Sequence, residues 1–241
     1  ATVTEILEEE GSLSCIITPN DGSGPVKTRA GQILMAIGRR PDVSRLLGKD
    51  ISLDMKDGKI AVDSDFETSE PGVFAIGDVA ARTQLAHVAA AQGTYVVEKI
   101  AGRPHSIKLE VVPNGMFVSL PIVPNCIYTD PEIATVGITE EIAKKYGLKV
   151  RCGHFSMRDN GKSIITGEEH GFIRLLFEAY SNTIVGAQMM CPRATDMIGE
   201  IATAIANGLT AQEMSFAMRA QPTYNEGIGA AIEDAMRQNP V

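Results

Sequence analysis

The stretch "ETSEPGVFAIGDVA", residues 67–80, contains a short apolar run at residues 73–76. The pair Pro71-Gly72 precedes this run, and the pair Gly77-Asp78 follows it. A short apolar run between turn signals predicts a buried strand of an α/β sheet. An acidic residue at the carboxyl end of such a strand lies where open α/β sheets bind their ligands, so Asp78 is a candidate ligand contact. The alternative is that Asp78 is only a turn residue or a helix cap.

The composition is that of an ordinary globular protein. Of the 241 residues, 44% are apolar and 22% are charged, which allows one large domain or two smaller ones. The net charge of −8 argues against a nucleic-acid partner, because phosphate binding needs a basic surface. No apolar run is long enough to cross a bilayer, and the first residues do not form a signal peptide. We therefore expect a cytoplasmic protein without a membrane partner.

The cysteines are far apart in the sequence and form no Cys-x-x-Cys pair. They are Cys15, Cys126, Cys152 and Cys191, and none lies in a cluster with histidines. This spacing predicts neither a zinc site nor a local redox disulfide, and no metal site is expected. Buried free thiols are the favoured interpretation, since free cysteine packs as a small apolar residue.

The beginning of the chain has the pattern of antiparallel β-structure. Residues 1–37 predict a β-meander whose last strand extends over residues 26–38. Further on, Asp57-Gly58 predicts a hairpin.

A helix and a domain boundary follow. Residues 83–104 predict a helix that Thr83 caps and that Gly102 and Pro104 end. The next stretch is irregular and rich in proline, so we expect a domain boundary near Gly115.

The remaining residues predict an antiparallel sheet with helices on one side. Thr139 caps a short helix, and a hairpin turns at Ser181-Asn182. A capping box at residues 210–213 starts another helix. Residues 221–238 predict a last helix with Pro222 at its first position. The predicted fold class is therefore α/β plus α+β.

Six segments of the sequence occur in an order that resembles one family. They are "ILMAIGRRPDV", "TSEPGVFAIGDVA", "LAHVAAAQG", "VPNCIYTDPEIATVGIT", "GFIRLLFEA…IVGAQMM" and "AQPTYNE". Together they resemble the carboxy-terminal half of the flavoprotein (pyridine nucleotide) disulfide oxidoreductases, nearest to the dihydrolipoamide dehydrogenases and mercuric reductases. The resemblance covers essentially the whole chain, so we expect the chain to be a fragment.

The resemblance implies a domain organisation. Residues 1–40 correspond to the end of the NAD(P)-binding domain, residues 41–113 to the closing part of the FAD-binding domain, and residues 114–241 to the interface domain. The implied fold is the end of a nucleotide-binding α/β region followed by an antiparallel-sheet dimerisation domain. The resemblance also implies a homodimer formed through residues 114–241, with FAD and NAD(P)H as cofactors of the intact protein.

The resemblance further assigns flavin contacts. Gly77 and Asp78 match a family Gly-Asp pair whose carboxylate accepts a hydrogen bond from a ribityl hydroxyl of FAD. Leu85, Ala86 and His87 match the start of the next helix, whose first amides and positive dipole end stabilise the negative charge of the reduced flavin. A solvent-facing helix position is an alternative for the His87 side chain.

Three parts of the family pattern lie upstream of the matched segments and have no match in this sequence. They are two glycine-rich phosphate-binding turns and a Cys-x4-Cys redox pair. "GIGAAI", which begins at Gly227, lacks the last glycine and follows no strand, so it predicts a helix. We expect that the isolated chain neither holds FAD tightly nor turns over.

Gln221 is the main departure from the family pattern. In the family a histidine stands immediately before Pro-Thr and acts as acid–base for the reacting thiols, and a glutamate five residues later orients it. Here Gln221 occupies the position of the histidine and Glu226 matches the glutamate. An amide does not exchange a proton near neutral pH, and general acid–base catalysis is worth roughly 10²–10⁴-fold. Ordinary dithiol turnover is therefore expected to be impaired.

Two nearby residues have competing interpretations. "TYNE", residues 223–226, fits a capping box in which Glu226 only fixes the start of a helix, and we favour this structural role. Tyr224 is a candidate surrogate acid, provided that its pKa is strongly lowered.

The resemblance predicts part of an FAD- and NAD(P)H-dependent disulfide oxidoreductase of redox homeostasis. The intact protein would pass electrons from the nicotinamide through FAD to a small-molecule disulfide or another acceptor. Gln221 favours an acceptor that needs no such base, such as a metal ion, a quinone or a disulfide other than lipoamide. The alternatives are a non-catalytic dimerisation or scaffold module and a flavin-dependent NAD(P)H oxidase without a redox dithiol. The choice between NADH and NADPH is not determined by these residues.

Overall fold

The computed structural model describes residues 1–9, 11–43, 46–48, 51–81, 83–111 and 120–238. The chain divides into two units, Ala1–Gly48 and Lys49–Val241. The strands are β1 (Thr2–Glu9), β2 (Ser12–Thr18), β3 (Val26–Ala30), β4 (Met55–Lys56), β5 (Lys59–Ile60), β6 (Glu110–Val111), β7 (Leu120–Pro121), β8 (Asn125–Ile127), β9 (Ile133–Gly137), β10 (Val150–Ser156), β11 (Phe172–Glu178) and β12 (Ile184–Met190). The α-helices are α1 (Ala86–Ile100), α2 (Glu140–Lys145), α3 (Gly161–Thr166), α4 (Ala194–Ala206), α5 (Ala211–Ser215) and α6 (Glu226–Arg237). The expected boundary near Gly115 lies outside the described residues.

The first unit contains an antiparallel sheet in the order β1-β2-β3, which confirms the predicted meander. The last predicted strand is wrong beyond Ala30, where β3 ends. Residues 31–38 have no strand partner in the described part of the chain, and Leu34 and Ile37 are 90% and 86% exposed. An apolar run forms a strand only where a neighbouring strand is available, and the described residues provide none beside residues 31–38.

The predicted hairpin at Asp57-Gly58 is confirmed, since β4 and β5 pair across this turn. The predicted helix is also present as α1, but it begins at Ala86 with Leu85 as its N-cap, so the prediction that Thr83 caps it is wrong. Leu85 itself has an extended backbone, with φ −132° and ψ 136°, and the helical backbone begins at the next residue. Gly102 follows the helix with φ +63°, as its predicted role in ending the helix requires.

The predicted buried strand at residues 73–76 is wrong. These residues form one isolated bridge, between Glu67 and Phe74. Their other backbone hydrogen bonds return to the preceding segment, so they pair with no strand among the described residues. The run continues directly into a 3-10 turn at Gly77–Val79, and Asp78 lies in that turn.

The second unit contains a five-stranded antiparallel sheet in the order β10-β11-β12-β9-β8. Helices α4, α5 and α6 bury the main apolar core against one face of this sheet, together with residues such as Ile173 and Leu175. Helix α2 packs on the opposite face, where Ala143 joins Leu176 and Val185 in a second cluster. The expectation of helices on one side only is therefore wrong, because Leu176 of β11 and Val185 of β12 give the other face apolar side chains that α2 covers.

The last helix begins later than predicted. α6 starts at Glu226, and Pro222 lies outside it in a turn that side-chain hydrogen bonds hold. The Gln221–Pro222 peptide bond is cis. The predicted capping box of α5 is confirmed, with reciprocal bonds between Thr210 and Glu213.

Two further local predictions are confirmed. The Thr139 side chain caps α2 by accepting a hydrogen bond from the Ile142 amide at 3.2 Å. Strands β11 and β12 form a hairpin that turns at Ser181-Asn182. None of the described helices is long and apolar enough to cross a membrane.

Candidate functional site

Gly77 brings its turn into direct contact with α1. Its amide donates a hydrogen bond of 2.8 Å to the side-chain oxygen of Gln92, and both residues are buried. Gly77 has φ +65°, and a Cβ atom at this position would lie 2.8 Å from the Cβ of Ala89. Only glycine accommodates both this backbone conformation and this approach. The next residue, Asp78, is thereby fixed next to the first turns of α1.

The Asp78 carboxylate has no hydrogen-bond or ion-pair partner among the described residues. The side chain is only half-buried, so an external group can reach it. An ionised carboxylate only accepts hydrogen bonds, and a ligand hydroxyl is a suitable donor. The turn therefore has room for the kind of contact that the sequence predicted.

The start of α1 is also available to a ligand. No side chain caps it, and its first turn contains no acidic residue. The amides of Ala86 and His87 have no acceptor within the described ranges, and both residues are exposed. Such a helix start carries unpaired N–H donors and the positive end of the helix dipole, which together favour a negatively charged group.

The His87 side chain makes a contact that the sequence did not predict. Its Nε2 lies 3.0 Å from the carbonyl oxygen of Pro124, just before β8. In the tautomer that carries its proton on Nε2, the ring donates this hydrogen bond to the carbonyl oxygen. His87 therefore connects the start of α1 to the segment that leads into the large sheet, while the ring stays exposed.

Gln221 lies on the loop between α5 and α6, residues 216–225. Its side chain is exposed and has no hydrogen-bond partner in the described part of the chain. The adjacent backbone is firmly held: the Thr223 hydroxyl donates to the Ala220 carbonyl at 2.7 Å, and the Asn160 side chain donates to the Thr223 carbonyl at 3.1 Å. The loop thus presents the Gln221 amide from a fixed position.

Glu226 is engaged with the start of α6. Its carboxylate accepts a hydrogen bond of 2.8 Å from the Thr223 amide, as in one half of a capping box. The other half is absent, because the Thr223 hydroxyl donates to Ala220 instead. The Glu226 carboxylate therefore anchors the loop, and no hydrogen bond between described residues joins it to Gln221.

Tyr224 does not meet the condition set for a surrogate acid. Its hydroxyl donates to the Glu168 carboxylate and lies 2.9 Å from the Thr166 hydroxyl. Burial, followed by the hydrogen bond to Glu168, raises the pKa of Tyr224 instead of lowering it. The hypothesis that Tyr224 replaces the missing acid–base group is therefore wrong, since a phenol with a raised pKa stays protonated near neutral pH.

A cleft of about 670 Å³ lies beside the Gln221 loop. Pro222, Thr223 and Tyr224 form one wall, and charged side chains of both signs, such as Lys162 and Glu168, form others. Sequence reasoning missed this cleft because its walls come from segments far apart in the chain. The Tyr224–Glu168 contact alone spans 56 positions.

The cysteines are free thiols, as predicted, although only Cys191 is buried and the others are half-buried. Burial raises the pKa of the Cys152 thiol to about 11 and that of the Cys191 thiol to about 12. Burial also raises the pKa of Cys126. These thiols stay protonated near neutral pH and are poor nucleophiles. Within the described ranges no group of three or more His, Cys, Asp or Glu side chains is arranged to hold a metal ion.

The predicted site residues thus fall into two groups. Gly77, Asp78 and the first residues of α1 lie together, because the turn packs on that helix. Gln221 lies on the loop that leads into α6, and Glu226, the first residue of α6, binds the same loop through the Thr223 amide. No hydrogen bond between described residues connects one group to the other.

Comparison with known proteins identifies the sequence family in both parts of the chain. The pyridine nucleotide-disulphide oxidoreductase profile matches residues 1–93, and the profile of the dimerisation domain of that family matches residues 123–232. The dihydrolipoyl dehydrogenase of Geobacillus stearothermophilus is 35% identical over 90% of this chain and 44% of its own length. That of Rhizobium etli is 32% identical over 98% of this chain and 47% of its own length. The chain spans about half the length of the curated relatives it matches.

Solved structures show the same fold. LpdA from Mycobacterium tuberculosis aligns with a TM-score of 0.83 at 23% identity, over 98% of this chain and 48% of that one. The HOCl-induced flavoprotein disulfide reductase RclA from Escherichia coli aligns with a TM-score of 0.82 at 17% identity, over 99% of this chain and 51% of that one. Since sequence profiles and fold agree along both parts of the chain, the chain belongs to the pyridine nucleotide-disulphide oxidoreductase family.

Proposed function

We propose that the chain is the carboxy-terminal half of an FAD- and NAD(P)H-dependent disulfide oxidoreductase. The observation that carries this proposal is the Gly77–Asp78 turn, which packs against Ala89 and Gln92 of α1, a helix whose start has no side-chain cap. Residues 1–40 would close the NAD(P)-binding domain, residues 41–113 the FAD-binding domain, and residues 114–241 would form the interface domain. Curated relatives named dihydrolipoyl dehydrogenase support the proposal, and the chain spans about half of their length.

The residues of the turn and of α1 fit FAD. The unpartnered Asp78 carboxylate would accept a hydrogen bond from a ribityl hydroxyl. The amides of Ala86 and His87, after Leu85, would face the edge of the flavin where negative charge builds up on reduction. FAD, when bound, supplies two-electron transfer between a nicotinamide and a disulfide. Gly77 would keep Asp78 and α1 at a constant separation.

The overall reaction would convert NAD(P)H, one proton and a disulfide into NAD(P)⁺ and two thiols. On the thiol side, Gln221 can donate and accept hydrogen bonds and can thereby orient a sulfur-containing group. It cannot carry the proton, because a side-chain amide does not titrate near neutral pH. This favours an acceptor that needs little proton transfer from the protein, such as a metal ion, a quinone or a disulfide with a good leaving group.

The proposed protein acts as a homodimer through residues 114–241. The dimerisation-domain profile over residues 123–232 supports this assignment. The exposed Gln221 loop belongs to the same region and could contribute to a site shared with a second copy. A role in cytoplasmic redox homeostasis is part of the proposal, as an extension of the proposed disulfide chemistry.

The sequence upstream of Ala1 in the native polypeptide tests the proposal first. We expect a glycine-rich phosphate-binding turn followed by Cys-x4-Cys. Purified intact protein should then contain FAD, and Asp78→Ala should weaken its FAD affinity about tenfold, since a hydrogen bond to a charged group is lost. Asp196→Ala, which removes an exposed carboxylate on α4, is the matched control and should retain FAD. An unchanged FAD affinity of the Asp78→Ala protein would refute the site.

Gln221 also favours a second candidate, a flavin-dependent NAD(P)H oxidase without a redox dithiol. Such a protein would retain the Asp78 site but would need no acid–base group for thiols. Thiol titration before and after NADH addition separates the candidates: two new thiols per chain indicate the disulfide oxidoreductase, and none indicates the oxidase. Absence of FAD from the intact protein would instead indicate a dimerisation or scaffold module.

A further inference from the structure

Glu200 connects both ends of the Gln221 loop to α4. One carboxylate oxygen, Oε1, accepts a hydrogen bond of 2.6 Å from Nη2 of Arg219. The other oxygen, Oε2, accepts a hydrogen bond of 2.8 Å from Nδ2 of Asn225. Arg219 precedes Gln221 and Asn225 follows it, so one side chain of a buried helix holds the chain on either side of the exposed glutamine.

Arg219 depends on this contact for its shortest hydrogen bond. Its side chain is only 9% exposed, and Glu200 provides its ion pair. Its other contacts within the described ranges include a longer hydrogen bond of 3.3 Å to the Ala217 carbonyl and packing against Gly229 of α6. The Nε atom is buried without a partner among the described residues. A buried guanidinium is costly when its N–H donors lack acceptors, so removal of the Glu200 side-chain oxygens should displace Arg219 and the loop with it.

We infer that Glu200 is a positioning residue for Gln221. The inference rests on the proposed function, in which Gln221 meets the reacting thiol or disulfide. Small displacements of a positioning group reduce turnover strongly, and side chains on rigid elements fix a site more accurately than the loop alone. Glu200 acts through Arg219 and Asn225 and needs no contact with substrate.

The test uses the intact protein with Glu200→Ala, which removes both hydrogen bonds and places a good helix former in α4. Lipoamide is the probe disulfide, with NADH as reductant. We expect kcat for lipoamide to fall about tenfold, with the rate of flavin reduction by NADH unchanged, because the loop orients the thiol side of the reaction only. Equal losses in both rates, or no loss in either, would overturn the inference.

Two further variants distinguish positioning from general loss of stability. Glu200→Gln should recover turnover to within about threefold of the parent, since its amide oxygen can still accept from Arg219 and its NH₂ group can donate to a flipped Asn225 side chain. Glu233→Ala removes an exposed helix glutamate that pairs with Arg237, and it should change neither rate. A Glu200→Gln protein as poor as Glu200→Ala would contradict the hydrogen-bond geometry and overturn the inference.

Hydrogen exchange of residues 216–225 separates this inference from the proposed function. Amide exchange in this segment should accelerate about tenfold in Glu200→Ala and remain near the parent rate in Glu200→Gln. Asn225→Ala, which leaves the Arg219–Glu200 pair intact, should give a smaller increase and replaces Glu200→Ala if that variant does not fold. Accelerated exchange in an intact protein that holds no FAD and gains no thiols on NADH addition would support the positioning role and refute the proposed function. Unchanged exchange would overturn the positioning role, whatever the activity.

Discussion

Gln221 is exposed on a loop whose backbone is anchored on both sides, so its side chain can be exchanged without moving its neighbours. Gln221→His in the intact protein should raise kcat/KM for lipoamide roughly 10²-fold, because an imidazole exchanges protons near neutral pH and an amide does not. Steady-state rates with NADH over a range of pH measure the effect. The increase should disappear at low pH, where the introduced ring is protonated.

Gln212→His is the control for this substitution. Gln212 is an exposed glutamine on α5, so the change adds the same ring away from the Gln221 loop. It should leave turnover unchanged. Identical pH profiles for the parent protein and Gln221→His would mean that another group carries the proton.

At the residue scale, the sequence allowed a role to be proposed for side chains that depend only on their immediate neighbours. Asp78 follows Gly77, and the positive φ of that glycine is what fixes the turn. Tyr224 could not be evaluated in this way, because its pKa depends on burial and on Glu168, which is distant in the sequence. The same limit applies to Glu200, since nothing near it in the sequence indicates its contacts with the Gln221 loop.

At the scale of elements, α6 and β10 approach each other very closely at Gly153. A Cβ atom there would lie 1.9 Å from the carbonyl oxygen of Ala231 on α6. Gly153→Ala should therefore push the helix away from the sheet and lower the free energy of unfolding by about 3 kcal/mol. Urea denaturation measures the loss.

Gly199→Ala is the matched control, because Gly199 lies within α4 with open space around it. This change should stabilise the protein by about 0.5–1 kcal/mol, since alanine is the better helix former. A Gly153→Ala protein as stable as its parent would show that α6 does not pack on β10 as described.

The β11–β12 hairpin should make stability depend on pH through Glu178. This side chain is 6% exposed, and its carboxylate accepts hydrogen bonds from the amides of Tyr180 and Ser181 at 3.0 and 2.6 Å. Burial acts to raise the pKa of Glu178, but hydrogen bonds from Ser181 and Tyr180 outweigh it, so the pKa is lowered. A lowered pKa in the folded state means that the stabilisation is present above the unfolded pKa of about 4.3 and is lost as pH falls towards the folded value.

Glu178→Gln should therefore lower the free energy of unfolding by about 1–3 kcal/mol at neutral pH. The difference from the parent should shrink below about pH 4, where the parent loses the same charge. Urea midpoints at both pH values measure this, with the exposed Glu233→Gln as control. An equal difference at both pH values would show that the carboxylate charge is not what stabilises the turn.

Elements with local signals were predicted from the sequence, and elements that depend on partners were not. The caps at Thr139 and Thr210 and the turn at Asp57-Gly58 need only a few neighbouring residues, and all are confirmed. Residues 31–38 and 73–76 have suitable composition for strands, but a strand exists only through its neighbours. The sequence of these two segments does not show whether a partner strand lies beside them in the described structure.

At the scale of the whole molecule, we expect the isolated chain to retain no FAD and to show no turnover with NADH. Its 241 residues include the Asp78 turn and the start of α1 but no glycine-rich phosphate-binding turn, so most of the binding energy for the pyrophosphate is missing. Visible absorption of the purified chain and NADH consumption measure this. A yellow chain with one flavin per polypeptide would contradict the prediction.

The family could be inferred from six sequence segments, because those segments span nearly the whole chain. The strand order β10-β11-β12-β9-β8 could not be inferred in this way. It is set by which apolar side chains meet, and residues of β11 join apolar clusters on both faces of the sheet. The cleft beside the Gln221 loop escaped prediction for the same reason, since it exists only once distant segments have packed.

The anchoring of the Gln221 loop also bears on how this protein can evolve. Three side chains hold the loop: Asn160, which caps α3, Glu200 of α4 and Glu226 of α6. None of them forms a hydrogen bond with the side chain at position 221 in the described structure. Glutamine and histidine codons differ by a single nucleotide. One nucleotide change can therefore exchange the side chain at position 221 while the fold stays the same. Proton transfer at this position can be gained or lost during evolution without a step in which the protein is unfolded.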